Sequence, residues 1–141
     1  MLSKEEAVRK HRAMWNWIGS MLKSGLWRSF IDGTYTVGKY TFVLMSPTIA
    51  NIVISLKYSY IKMVGDTDIY NNCYCCDYTL SKYGQCESGY LCPIIWSECS
   101  DPEKCTDSLY GVFRYPVMSF EEAGDIAYQI ANLPERKEIN E

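Results

Sequence analysis

Histidine is almost missing from this chain, with His11 the only one in 141 residues. There is accordingly no histidine cluster, no H-E-x-x-H, and no H-x-E paired with P-C-x-x-C to mark an open metal site with a bound water and a base beside it. Phosphate-cradling glycine loops and serine-nucleophile motifs are absent as well. The adjacent carboxylates Glu5-Glu6 and Glu121-Glu122 diverge on a helix and read as complements to helix N-termini rather than as an acid–base pair. These absences point to a protein that is not an enzyme. Apolar runs long enough to span a bilayer are also lacking. The first thirty residues alternate charge with apolar groups and carry no uninterrupted signal-peptide core, so a cytoplasmic protein is expected.

Cysteine is what the chain has in excess. All seven fall between Cys73 and Cys105, as Cys73, Cys75, Cys76, Cys86, Cys92, Cys99 and Cys105. An odd number of thiols in a reducing compartment fits a disulfide framework poorly, and thiols clustered at short spacing read first as metal ligands. Cys73 and Cys76 form a C-x-x-C pair, whose spacing lets two sulfurs face one ion about 2.3 Å away while turn amides hydrogen-bond back to them. Cys86 and Cys92 are separated by five residues, with Gly84 and Gly89 supplying turns and Pro93 keeping Cys92 extended. The expectation is a structural Zn²⁺ in a closed set of Cys73, Cys76, Cys86 and Cys92, with Cys105 as the substitute for Cys86 or Cys92. Cys75 is expected to point away as a spare thiol, and Cys99 to lie exposed in a polar stretch. A redox reading of Cys73-Tyr74-Cys75-Cys76 lacks the strand-then-helix setting such motifs use.

The rest of the chain predicts a mainly α fold in one domain over 1–141, with a small α+β fold as the alternative. Ser3 with Glu6 makes a capping box, and Ala7, His11, Met14, Trp15, Ile18, Met21 and Leu22 recur at helical spacing. That predicts a helix over 3–24, with His11 at the edge of its core contact and a fourth-ligand role as the other reading. Residues 26–45 carry Asp32-Gly33, Gly38 and a partial Tyr/Val/Phe alternation, which fits a short hairpin in 34–45 or an irregular aromatic loop. Ser46-Pro47 reads as N-cap and first helical residue of a helix over 47–64 ending at Gly65, although its β-branched content leaves a strand reading for 49–56. Residues 73–105 are expected to be an irregular loop ordered by the zinc. Asp107 is expected to cap a short turn with Leu109, Tyr110 and Phe113 that Pro116 interrupts. A second capping box, Ser119 with Glu122, opens a helix over 119–132 with Ala123, Ile126, Ala127 and Ile130 inside, and the tail 135–141 is expected to be flexible.

Charge is distributed unevenly. Residues 1–28 hold six Lys or Arg against two acids, whereas 66–141 hold five against fourteen. The acidic half would repel a phosphate backbone, while Lys4, Arg9, Lys10, Arg12, Lys23 and Arg28 could attract one. Trp17 and Trp27 fall off the stripe of the first helix and are the expected surface aromatics.

Three islands of the sequence resemble a loosely defined group of small, mostly uncharacterised proteins of phages and prophages of Gram-positive bacteria. They are Lys4-Glu5-Glu6-Ala7 through His11-Arg12-Ala13-Met14-Trp15-Asn16-Trp17-Ile18, then Asn72-Cys73-Tyr74-Cys75-Cys76-Asp77-Tyr78 with Cys86, Cys92-Pro93 and Trp96, and finally Ile126-Ala127 to Ile130-Ala131-Asn132-Leu133-Pro134-Glu135-Arg136. The group's second cysteine pair is commonly C-x-x-C-P, from which the Cys86–Cys92 gap departs. A further cysteine before a Leu-Tyr pair is typical and matches Cys105 before Leu109-Tyr110. The resemblance implies a phage-borne accessory protein with a bound metal. Together with the acidic half and the aromatics, it leads to a non-enzymatic interaction module that docks on a host protein and inhibits a defence complex. A zinc-loop protein binding nucleic acid through its basic first helix is the alternative.

Overall fold

The computed structural model describes residues 2–29, 34–37, 39–43, 48–66, 68–69, 73–84, 92–94, 113 and 118–136. Along these the chain forms α1 (Lys4–Ser24), a 3-10 turn (Leu26–Ser29), β1 (Thr34–Val37), β2 (Tyr40–Val43), α2 (Ile49–Val64), α3 (Tyr74–Tyr83) and α4 (Phe120–Ala131). The fold is mainly helical. β1 and β2 pair antiparallel, with Thr34 opposite Val43 and Val37 opposite Tyr40.

α1 starts where the sequence places it. The Ser3 hydroxyl accepts the Glu6 amide at 3.1 Å, and Gly25, at φ 79°, closes the helix in a left-handed conformation that costs glycine nothing. α4 opens in the same way, with Ser119 accepting the Glu122 amide at 3.1 Å. α2 is a helix rather than a strand, but it begins two residues later than expected. Thr48 is the N-cap, its hydroxyl taking the Asn51 amide at 3.2 Å; Ser46 and Pro47 lie outside the described residues. The β-branched residues of α2 each cost a few tenths of a kcal/mol in helix propensity, about 0.5 at most. Burying Ile52, Val53 and Leu56 returns about 1.5–3 kcal/mol apiece, so packing decides the conformation.

α3 corrects the expectation of an irregular loop over 73–105. Cys73 is its N-cap, and the Cys73 Sγ accepts the Cys76 amide at 3.2 Å, where a Ser hydroxyl would ordinarily serve. Asp77 lies in the first turn, Lys82 in the last, and Gly84 at φ 77° ends the helix. A cysteine read only as a metal ligand conceals this cap.

One core joins the four helices. Met14, Trp15, Ile18 and Leu22 of α1 meet Ile52, Val53 and Leu56 of α2, Tyr74 of α3, and Ala123, Ala127 and Ile130 of α4. Phe113 lies stacked on Trp15, with centroids 6.0 Å apart and planes within 2°. The turn expected at Asp107–Tyr110 lies outside the described residues. Trp27, expected at the surface, is buried in the 3-10 turn and stacks on Phe120 at 4.9 Å. Trp17 is half-buried against Tyr60 at 5.5 Å. Both rings do packing work instead of standing free.

α1 packs most extensively on α4, and the two backbones approach closely at paired glycines. A Cβ on Gly19 would sit 2.6 Å from the Tyr128 ring and 3.1 Å from the Gly124 carbonyl oxygen. A Cβ on Gly124 would run into the Lys23 side chain and lie 3.1 Å from the Gly19 carbonyl oxygen. Beyond α4, the Arg136 amide donates to the Pro93 carbonyl at 2.6 Å, and Ile94 and Glu135 form an antiparallel bridge. Glu135 and Arg136 are thus in contact with the 93–94 segment; residues 137–141 of the tail expected to be flexible lie outside the described ones.

Two outcomes follow from this packing. Gly19→Ala gains about 1 kcal/mol of helix propensity but forces apart a ring and a backbone, an overpacking cost of about 1–3 kcal/mol, so its urea midpoint falls below that of the wild type. Ser55 is buried with its hydroxyl unpaired among the described residues, so Ser55→Ala is expected to leave the midpoint unchanged or raise stability by up to about 1 kcal/mol.

Candidate functional site

The thiols assemble where α3 meets α1 and the 92–94 segment. Cys75 sits on the first turn of α3 and is fully buried, packed with Val8 of α1, Cys92 and Ile94, with Cys73 and Leu133 against the same cluster. Its thiol lies 4.0 Å from the Ala7 carbonyl oxygen. Thr79 donates to the Cys75 carbonyl at 2.7 Å, closing this face of α3. Cys75 therefore does not point away from the other cysteines, as the sequence implied, but towards Cys92.

Cys73 and Cys76 are half-buried beside that pair. The Cys76 thiol hydrogen-bonds to the Cys73 sulfur, the Cys75 and Cys76 amides point at it, and the Lys57 ammonium adds positive charge. Together these outweigh burial and hold the Cys73 thiol down at about 6. Cys75 moves the other way. Its hydrogen bond to Cys92, its burial and the neighbouring sulfurs keep it protonated well above the usual thiol range. Amides aimed at a cysteine sulfur also form the outer shell that metal-bound thiolates use. The helix that the redox reading lacked is present, since Cys73 opens α3.

Of the expected ligands, Cys73, Cys76 and Cys92 share this locality, whereas Cys86 and Cys105 lie outside the described residues, as does Cys99. Among the described residues, no three His, Cys, Asp or Glu side chains are positioned to hold a metal ion as they stand. Cys92 is anchored from the far end of the chain, its carbonyl accepting the Arg136 Nε–H at 2.9 Å. Nothing in a cysteine pattern signals that contact. Only the basic residue two positions past Pro134 hints at a partner.

His11 is not placed as a ligand. It is buried in the α1–α4 contact, with Nε2 3.1 Å from the Ile130 carbonyl oxygen. Burial, assisted by Lys57 and Arg12 and opposed by that hydrogen bond, pushes its pKa down to about 4. The ring is neutral at physiological pH, and Nε2–H donates to the carbonyl.

The basic residues of the N-terminal stretch are largely engaged within the fold. Lys4 donates to the Arg136 carbonyl at 2.7 Å and lies 3.6 Å from Glu135. Lys10 pairs with Asp66 at 3.1 Å, and Tyr74 donates to the same carboxylate at 2.9 Å. Arg12 reaches the Leu133 carbonyl at 3.4 Å. Lys23 pairs with Asp125 at 2.5 Å and Glu121 at 3.1 Å, contacts that hold its ammonium above its usual range. Arg28 lies over the Trp27 ring at 4.8 Å, and Arg9 is exposed. Among the described residues, the large apolar groups that remain exposed are Leu26 (54%), Tyr40 (61%), Met63 (53%) and Val64 (45%). No helix among the described residues is long and apolar enough to cross a membrane.

No protein-family model matches this chain, and no curated protein or solved structure matches it either.

The depressed pKa of His11 sets an acid limit on the fold. An unfolded chain takes up a proton near pH 6.5, whereas the folded one resists until about pH 4, so its contribution is complete above pH 6.5 and is lost as pH falls towards 4. The gap corresponds to about 3 kcal/mol. His11→Gln keeps an N–H for the Ile130 carbonyl but cannot titrate. Urea midpoints measured at pH 7.5 and pH 5 are expected to drop less for this variant than for the wild type.

Proposed function

We propose that this chain is a non-enzymatic protein-interaction module built around a structural zinc, an accessory protein of the phage type that docks on a host protein and inhibits a defence complex. The gathering of Cys73, Cys75, Cys76 and Cys92, with amides directed at the Cys73 sulfur, carries the metal half of this reading. The ion would reinforce the junction of α3 with the 92–94 segment, where the buried contacts are few. Structural zinc contributes about 10–16 kcal/mol in small peptides, as much as the whole stability of a typical domain at about 5–15 kcal/mol.

The interaction half rests on the surface. Leu26, Tyr40, Met63 and Val64 are exposed apolar groups of the kind that anchor a partner, and the C-terminal half is acidic. A basic, nucleic-acid-handling host protein suits that combination. Binding of nucleic acid by the chain itself has less support, because Lys4, Lys10, Arg12, Lys23 and Arg28 already have partners within the fold. A gel shift that weakens steeply with salt would reverse that ranking.

Elemental analysis of the purified chain is expected to find one zinc per molecule. Cys76→Ser is expected to lose the ion and the cooperative melting of the 73–94 region. Full zinc stoichiometry with an unchanged melting temperature in Cys76→Ser would remove Cys76 from the ligand set. On the interaction side, the double variant Met63→Glu, Val64→Glu is expected to lose a partner that the wild type retains in affinity capture.

A further inference from the structure

We propose that Cys73 and Cys76 are a site of reversible disulfide formation, closed by thiol–disulfide exchange with a small-molecule disulfide of the glutathione class. The start of α3 brings the two sulfurs together. Cys73 is the N-cap, in an extended conformation, and its Sγ lies 3.2 Å from the Cys76 amide nitrogen. The Cys76 thiol, carried on the same residue as that amide, hydrogen-bonds to the Cys73 sulfur. A capping geometry that Ser or Asp uses for hydrogen bonding alone here sets two oxidisable groups against each other. Both cysteines are half-buried, which leaves them open to a small reagent, whereas Cys75 and Cys92 are buried. Cys75 is withdrawn further, with its thiol turned toward the Ala7 carbonyl and Cys92.

The exchange runs in two displacements. One of the two cysteines, as thiolate, attacks a sulfur of the incoming disulfide, forming a mixed disulfide and expelling one glutathione thiolate. The other cysteine then attacks the protein sulfur of that mixed disulfide and expels the second glutathione thiolate. Two protein S–H groups are thereby oxidised to one S–S bond, one external disulfide is reduced to two thiols, and the two protons end on those thiols. The second step is intramolecular between groups already in contact, which favours it over attack by another glutathione molecule. Both residues belong to the same end of α3, so closure crosses no boundary between elements. The inference goes beyond the zinc reading and does not need it. A sulfur bound to a metal is not free to attack, so a zinc-loaded chain would resist the oxidant that the metal-free chain accepts.

The test exposes the full chain, freed of metal with a chelator, to oxidised glutathione, then blocks free thiols with iodoacetamide and digests with trypsin. Cys73, Cys75 and Cys76 fall together in the tryptic peptide Met63–Lys82. The expected product by mass spectrometry is that peptide short of two hydrogens, with the blocking group on Cys75, and excess reduced glutathione is expected to reverse it. A product blocked at Cys73 or Cys76, or a bond from either to any other cysteine of the chain, would overturn the inference. Cys73→Ser and Cys76→Ser are each expected to lose the internal bond and to accumulate at least about 10-fold more mixed disulfide with glutathione than the wild type. Equal adduct in all three chains would sink the proposal, since neither thiol would then be resolving the other. Zinc stoichiometry of the untreated chain is a separate readout. A zinc-free chain that closes this bond keeps the inference and removes the metal reading; a zinc-binding chain whose metal-free form stays reduced does the reverse.

Discussion

A side chain on Gly19 would strike the Tyr128 ring and the Gly124 carbonyl, and that missing side chain sets the spacing of α1 and α4. With the two backbones so close, polar groups along α1 reach carbonyls at and beyond the end of α4. His11 takes the Ile130 carbonyl, Arg12 the Leu133 carbonyl and Lys4 the Arg136 carbonyl. The acceptors step along the chain in threes, His11 and Arg12 holding the first two and Lys4, about two turns back along α1, the third. The residues after α4 are thereby laid against α1 in fixed register. From there Arg136 grips the carbonyls of Cys92 and Pro93. The position of a cysteine in the middle of the sequence thus depends on a glycine contact between its two ends.

The other side of the cysteine cluster is fixed by α3, which borrows its capping group from the chemistry of the site. A sulfur accepting the Cys76 amide is a weak cap, and a metal-bound thiolate would be a stronger one because it carries charge toward the helix N-terminus. Lys57 serves two neighbours at once, favouring the charged form of Cys73 and disfavouring that of His11. Asp66 is shared between Lys10 of α1 and the Tyr74 hydroxyl of α3. α1, α2 and α3 are therefore tied by polar contacts at the rim as well as by the apolar core.

The legible parts of this fold are those whose signals are local. Ser3 and Gly25 announce α1, Ser119 announces the start of α4, and the apolar spacing within each supplies the buried face. α2 was readable in type though not in its cap, because Ser46 and Thr48 have the same chemistry and only geometry selects between them. α3 was hidden because its cap is a cysteine, and with it went the direction of Cys75. Successive helical residues point about 100° apart, so once Tyr74–Tyr83 is helical, Cys75 and Cys76 face different ways and one of them turns to α1. Trp27 escapes the local pattern for a related reason. It lies off the α1 stripe because it belongs to the following 3-10 turn, whose partner is Phe120, far away in sequence.

The same internal ties decide what the surface offers a partner. An excess of cations at the start of the chain looks in sequence like an invitation to phosphate, yet the fold turns Lys4, Lys10, Arg12 and Lys23 toward carbonyls and carboxylates. Pairing cancels much of their field at a distance, as it does for the acids they meet. What a distant partner senses is then closer to the net charge of −3. Four thiolates around one divalent ion would carry that net charge to about −5. A zinc held as proposed would strengthen the electrostatic attraction to a basic partner and the repulsion of a phosphate backbone.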